Sequence, residues 1–211
     1  MDTFFYNLAL HLPAIIIAFS VHEYAHARAA FALGDDTAAR MGRLTLSPVA
    51  HIDPVGLLLI IAFGFGWAKP VPVNPTNFRR EVNMRRGMML TSAAGPAANL
   101  LMALAGCVAL RFSLPAFSMD GLPSILAEML YYFVYLNILL MVFNLLPVPP
   151  LDGFRVLSGF LPSSADRLID FLERNGWLFL VLLLVTDLPK YVISPIINLV
   201  ANIIMNAIVL S

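Results

Sequence analysis

Three ionisable residues inside one apolar stretch have the spacing of a metal-dependent hydrolase. The stretch contains His22-Glu23-Tyr24-Ala25-His26, which is the HExxH pattern. In a helix the two histidines lie about 40° apart around the axis, so both imidazoles can reach one ion. Glu23 lies about 60° from His26, where its carboxylate can take a proton from a metal-bound water. The pattern predicts two zinc ligands and a general base.

The alternative is that these histidines are packed core residues whose ring nitrogens are satisfied by neighbours. Charged groups in a membrane-spanning helix cost about 2.5–3.5 kcal/mol each on insertion scales. Three ionisable side chains on nearly one face of such a helix therefore need a shared partner. We favour a metal ion as that partner.

A catalytic zinc has three protein ligands and one position open for water. Glu128 and Asp187 are predicted on the opposite side of the membrane from the histidines, whereas Asp152 follows the inner end of a predicted span. Three prolines in 147–150 stop that helix, and Gly153 permits a close backbone approach. This polar turn can fold back towards the membrane interior as part of a site. An ordinary interfacial turn is the alternative.

The elements that position these residues are predicted to be membrane helices. Of the 211 residues, 60% are hydrophobic and only 12% are charged, against about a quarter charged in soluble proteins. Stretches near the ~20 residues that a span requires occur at 4–30, 87–110, 125–146 and 191–210. A shorter fifth candidate, 176–188, would form a helical hairpin with the last. We therefore predict an all-α membrane protein of about five transmembrane helices in one domain, 1–211, with a core at 4–153 and a C-terminal hairpin at 176–210.

The stretch 54–67 is too short to cross and contains three glycines, so we predict a re-entrant or interfacial segment. If it does not cross, eleven of the 13 Lys and Arg residues share one side. The positive-inside rule then places the N-terminus outside and the histidines in the inner, cytoplasmic half of the membrane. Net charge is zero and no basic block stands alone, which argues against nucleic-acid binding.

Three motifs together resemble a known family. HEYAH, GPAAN and NLLPVPPLDG, in this order, resemble the site-2 protease family of intramembrane zinc metalloproteases, in its compact bacterial-type branch without a PDZ domain. The resemblance implies that His22, His26 and Asp152 bind one Zn²⁺ ion per chain and that Glu23 is the catalytic base. It also implies transmembrane-helix protein substrates in the lipid bilayer of the cell membrane.

Three further polar residues are candidates for supporting roles. Asn99 ends the small-residue motif GPAAN and either orders the site or belongs to a surface of pure helix packing. Asn144 either donates a hydrogen bond to the oxyanion of the reaction or bonds a neighbouring helix. His51 either steadies the oxyanion or controls the access of water, and otherwise is an ordinary loop histidine.

Two other functions are compatible with the composition. The first is a catalytically inactive relative that binds membrane helices without cutting them, against which the intact Glu23 argues. The second is a metal transporter, a class that commonly shows two related halves with interrupted helices. We find no such internal repeat in the sequence.

Overall fold

The protein is an all-α membrane protein, as predicted. The computed structural model describes residues 2–63, 66–113, 122–187 and 189–209. Within these ranges four helices are long and apolar enough to cross a membrane: Leu8–Ala32, Met84–Ser113, Ser124–Asn144 and Lys190–Ile208. They correspond to the four long spans that the hydropathy of the sequence predicts.

Ten helices account for most of the described chain. They are α1 (Asp2–Ala32), α2 (Thr37–Arg40), α3 (Pro48–His51), α4 (Pro54–Phe63), α5 (Met84–Ser113), α6 (Leu122–Asn144), α7 (Asp152–Ser158), α8 (Asp166–Arg174), α9 (Gly176–Val185) and α10 (Ser194–Ile208). A π-helical turn, Pro189–Ile193, leads into α10.

Helix α5 is the centre of the bundle, because it packs against α1, α6 and α7. A buried apolar cluster fills the space between α5, α6 and α10 and includes Ala103, Cys107, Val134, Ile138 and Ala201. A second cluster joins α1 to α6 through Ala14, Ala18, Leu136 and Leu140. Small residues at these contacts let the helix backbones approach closely, which is how membrane helices gain packing energy.

The predicted fifth span is shorter than a bilayer-crossing helix. Helix α9 has only 10 residues and is therefore about 15 Å long, half the thickness of the hydrocarbon layer. Thr186 and Asp187 follow its end outside helical structure. The region 176–210 thus contains one short helix and one long helix, and their pairing as a hairpin stays a prediction.

The stretch after α3 returns to the side from which it starts. Helix α4 leads away, and the chain then comes back so that Ala68 forms an antiparallel bridge with Ile52. The Lys69 N–H also donates to the His51 carbonyl, at 2.8 Å. Because the two ends lie side by side, the segment does not cross, which agrees with the re-entrant prediction.

Candidate metal centre

Helix α1 brings the two histidines of the HExxH pattern together. Their Nε2 atoms lie 3.0 Å apart, with the ring planes nearly perpendicular. His22 is buried, and Glu23 between them is only 8% exposed. The helical spacing therefore produces the predicted cluster, shielded from the surroundings by α5.

Asp152 reaches the same point from the other side of the bundle. Its Oδ2 lies 3.2 Å from the Nε2 of His22 and 3.2 Å from the Nε2 of His26. Helix α6 ends at Asn144, a proline-containing turn follows, and Asp152 begins α7. A Cβ on Gly153 would lie 2.2 Å from the Leu145 carbonyl oxygen, so only glycine permits this turn to fold so tightly.

The second ring nitrogen of each histidine has a fixed acceptor. His22 Nδ1 lies 2.5 Å from Asn99 Oδ1, and His26 Nδ1 lies 2.7 Å from the carbonyl oxygen of Thr91. Because oxygen acceptors of this kind require a donor, the proton of each neutral ring is on Nδ1. Both Nε2 lone pairs then point at one another and at the Asp152 carboxylate, an arrangement that a cation stabilises.

The donor set and its dimensions suit zinc. Ligand atoms about 2.0–2.1 Å from a tetrahedral zinc lie about 3.3 Å from one another, and the three distances here are 3.0, 3.2 and 3.2 Å. Imidazole and carboxylate are both zinc ligands. Burial raises the pKa of the Asp152 carboxyl, but hydrogen bonds and charge from His22 and His26, when their rings carry a second proton on Nε2, outweigh burial and hold that pKa below its usual range. The carboxyl group is therefore ionised, as a ligand must be, and a bound cation would take the place of the Nε2 protons.

Helix α5 forms the floor of this centre. A Cβ on Gly95 would lie 2.5 Å from His26 Nε2 and 2.6 Å from His22 Nε2. No side chain fits there unless the imidazoles move. The small-residue motif GPAAN therefore does more than pack two helices, because its glycine makes room for the rings and its Asn99 bonds one of them.

Glu23 is held by an extended segment that follows the re-entrant stretch. The Val71 N–H donates to Glu23 Oε2 at 2.9 Å. Just before Val71, the buried guanidinium of Arg43 donates to the carbonyls of Lys69 and Pro70, at 2.5 and 3.2 Å. Arg43 thus holds in place the segment that contacts the predicted base.

The other two predicted supporting residues lie in different surroundings. Asn144 Nδ2 donates to the Leu140 carbonyl of its own helix, at 3.0 Å. His51 is fully buried, and its Nε2 lies 2.7 Å from the Thr45 carbonyl oxygen. It lines a cavity of about 20 Å³ together with Ile16 and Phe19 of α1 and residues of the re-entrant stretch. A space of this size holds about one water molecule.

Sequence reasoning missed two residues that contact the centre indirectly. Asn137 is fully buried on α6 and accepts a hydrogen bond from Asn99. The signal that could have indicated Asn137 is a polar residue within the apolar run of a predicted span. Arg43 gave no such signal, because a cation in a loop is usually solvated.

An HExxH helix and a converging carboxylate, enclosed by membrane-spanning helices, define the class of the protein as a membrane metalloprotease fold. Residues 116–186, which include Asp152, match the family model described as Peptidase family M50. The chain is 39% identical over 205 residues to "Putative zinc metalloprotease YwhC" of Bacillus subtilis, covering 94% of this chain and 92% of that protein. The chain therefore belongs to peptidase family M50, the site-2 proteases, whose cofactor is zinc.

Two mycobacterial relatives carry the same description under the name Rip2. The protein of Mycolicibacterium smegmatis is 31% identical over 176 residues, and that of Mycobacterium tuberculosis H37Rv is 30% identical over 172 residues. These matches cover 81% and 80% of this chain but only 64% and 63% of the relatives. No solved structure gave a significant match to the chain.

Proposed function

We propose that this protein hydrolyses peptide bonds within or beside the membrane, in the transmembrane segments of other proteins. His22, His26 and Asp152 hold the zinc ion, and Glu23 is the catalytic base. The observation that carries the proposal is the convergence of three ligand atoms, on side chains at most 15% exposed, beside Glu23 and inside a bundle of membrane-spanning helices.

Glu23 moves the proton of the reaction. A zinc ion held by His22, His26 and Asp152 would supply an acidified water and would polarise the scissile carbonyl. One Glu23 oxygen accepts the Val71 N–H, which orients the carboxylate and leaves the other oxygen to take a proton from the attacking water. Glu23 then passes that proton to the leaving amine. No covalent intermediate with the protein forms.

The substrate approaches along the Glu23 face of α1. Ile16 and Phe19 lie on this face and line the cavity beside the re-entrant stretch. A substrate helix must unwind locally, because helical hydrogen bonds occupy its carbonyls. Pro70 and Pro72 lack N–H groups. The segment that holds Glu23 therefore presents mainly carbonyl acceptors to an unwound substrate strand. The protein lies in the cell membrane with its N-terminus outside and the centre nearer the cytoplasm.

Asn99 orders the site through His22. His51 suits control of water access better than oxyanion binding, because its Nε2–H is already donated to Thr45 and Nδ1 is left as an acceptor. The oxyanion role of Asn144 stays a prediction, and one of its two amide hydrogens is free of the Leu140 bond.

The test is cleavage of one transmembrane substrate by the reconstituted protein, with wild type and Glu23→Gln compared at equal zinc content. The variant keeps the shape of the side chain but cannot accept the proton. We expect cleavage to fall by about 10²–10⁴-fold while zinc stays bound. Cleavage at the wild-type rate would contradict the assigned base. A wild-type protein that binds zinc and substrate without forming product would be the inactive helix-binding relative.

A further inference from the structure

A polar residue on α6 continues the hydrogen-bond chain that begins at the metal centre. Asn137 is fully buried on α6, between the apolar residues Leu136 and Ile138. Its Nδ2 donates to the Phe133 carbonyl at 2.9 Å, and its Oδ1 accepts from Asn99 Nδ2 at 2.9 Å. Asn99 Oδ1 in turn accepts from His22 Nδ1 at 2.5 Å. Three helices, α6, α5 and α1, are linked in this order.

Each hydrogen bond in this chain can run in only one direction. The Phe133 carbonyl can only accept, so Asn137 must present its amide nitrogen there and its oxygen to Asn99. Asn99 must then present its own oxygen to His22, which keeps the proton on Nδ1 and the lone pair on Nε2. If the Asn99 amide turned over, its nitrogen would face Nδ1 and favour the tautomer whose Nε2 is protonated and cannot bind a metal.

We infer that Asn137 is a positioning residue for zinc binding and acts through Asn99 on the tautomer of His22. This inference rests on the proposed role of His22 as a ligand. Outer partners of metal-bound histidines fix ring orientation and basicity in this way. Zinc affinity is therefore partly controlled by α6, at a position 38 residues away from Asn99 in sequence.

The two histidines differ in how their tautomers are fixed. His26 Nδ1 donates to the backbone carbonyl of Thr91, which can only accept and cannot turn over. His22 instead depends on a side-chain amide whose two ends are nearly the same size. Only the His22 half of the centre therefore depends on groups that select the orientation of its partner, and these are the Asn137 oxygen, 2.9 Å from Asn99 Nδ2, and the more distant Ala18 carbonyl oxygen, at 3.5 Å.

The experiment is a double-mutant cycle on zinc affinity, measured by chelator competition with the full chain in detergent. Asn137→Leu and Asn99→Ala should each weaken zinc binding by about 10–100-fold. The double variant should bind no more than about threefold more weakly than Asn99→Ala, because Asn137 acts through Asn99. Val134→Ala is the control, since Val134 is equally buried on α6 but lies in the apolar cluster.

A conservative variant keeps the inference testable if Asn137→Leu does not fold. In its protonated form, Asn137→Asp has one acceptor and one donor, so it should bind zinc within about threefold of wild type. Unchanged affinity in a folded Asn137→Leu, additive losses in the double variant, or an equal loss in Val134→Ala would overturn the inference. Asp152→Ala distinguishes failure of this inference from failure of the proposed function, because the variant should lose zinc whether or not Asn137 affects zinc binding.

Discussion

Helix α1 carries two clusters of ionisable side chains, and only one of them has the geometry of a reaction centre. In the inner cluster, which is the more buried of the two, the Nε2 atoms of His22 and His26 and a carboxylate oxygen of Asp152 meet at one point, where a cation can bind. In the outer cluster, the Tyr6 hydroxyl donates to the Glu128 carboxylate, at 2.9 Å. Nearby, His11 stacks on Tyr132 with ring centroids 3.7 Å apart.

An ionisable residue in a membrane helix does not by itself indicate a site. Tyr6 and Glu128 of the outer cluster are paired donor to acceptor, and Tyr6 is 43% exposed. The inner ligand atoms belong to side chains that are at most 15% exposed, and a bound cation stabilises their close approach. Substitutions in the inner cluster should therefore change metal binding, whereas those in the outer cluster should not.

The largest difference is expected between two carboxylates, Asp152 and Glu128. Asp152→Ala removes one of three ligands, so zinc affinity should fall by more than about 100-fold, beyond the usual effect of an outer partner. Glu128→Ala removes the bond from Tyr6 and should leave the affinity unchanged. Zinc content and chelator competition measure both. Equal affinities for the two variants would show that the carboxylate ligand lies elsewhere.

Gly95→Ala should also reduce zinc binding, by about 10–100-fold. The new methyl group would lie 2.5 Å from His26 Nε2, and overpacking of this kind displaces the side chains it meets. Ala97→Ser, on an exposed position of the same helix, is the control and should bind zinc normally. Wild-type affinity in Gly95→Ala would mean that the imidazoles are not packed against α5.

A smaller effect, confined to cleavage, is expected at Arg43. Arg43→Met keeps the apolar stem but loses the charged hydrogen bonds to the carbonyls of Lys69 and Pro70. Cleavage should fall about tenfold, since such bonds contribute about 1.5–3 kcal/mol, while zinc content stays the same. Arg40→Met is the matched control, because Arg40 is exposed and pairs only with the exposed Asp36 among the contacts described. Loss of zinc in Arg43→Met would show that Arg43 affects the metal ligands and does not act on Glu23 alone.

The smallest effect is expected from Tyr6→Phe. The substitution removes the hydroxyl that bonds Glu128 at an exposed position. Zinc affinity and cleavage should both stay within about twofold of wild type, as is usual for surface substitutions. A clear loss of zinc binding would show that the two clusters on α1 are coupled.

The parts of the site that follow from local rules could be predicted from the sequence. Helical periodicity placed His22 and His26 on one face, and the prolines before Asp152 indicated a turn at the C-terminal end of α6. The short length of α9 was harder to foresee, because an apolar run does not show where its helix ends. The bond from Asn137 to Asn99 depends on the register of α6 against α5, to which no local pattern points.

The assignment of His22, His26 and Asp152 as zinc ligands is tested most directly by zinc-edge X-ray absorption on the purified wild-type protein and on Asp152→Ala. We predict one zinc per chain with only nitrogen and oxygen ligands at about 2.0–2.1 Å, two of them imidazoles, and an oxygen ligand that is lost in the variant. A sulfur ligand at about 2.3 Å would contradict this ligand set. So would a zinc spectrum that Asp152→Ala leaves unchanged.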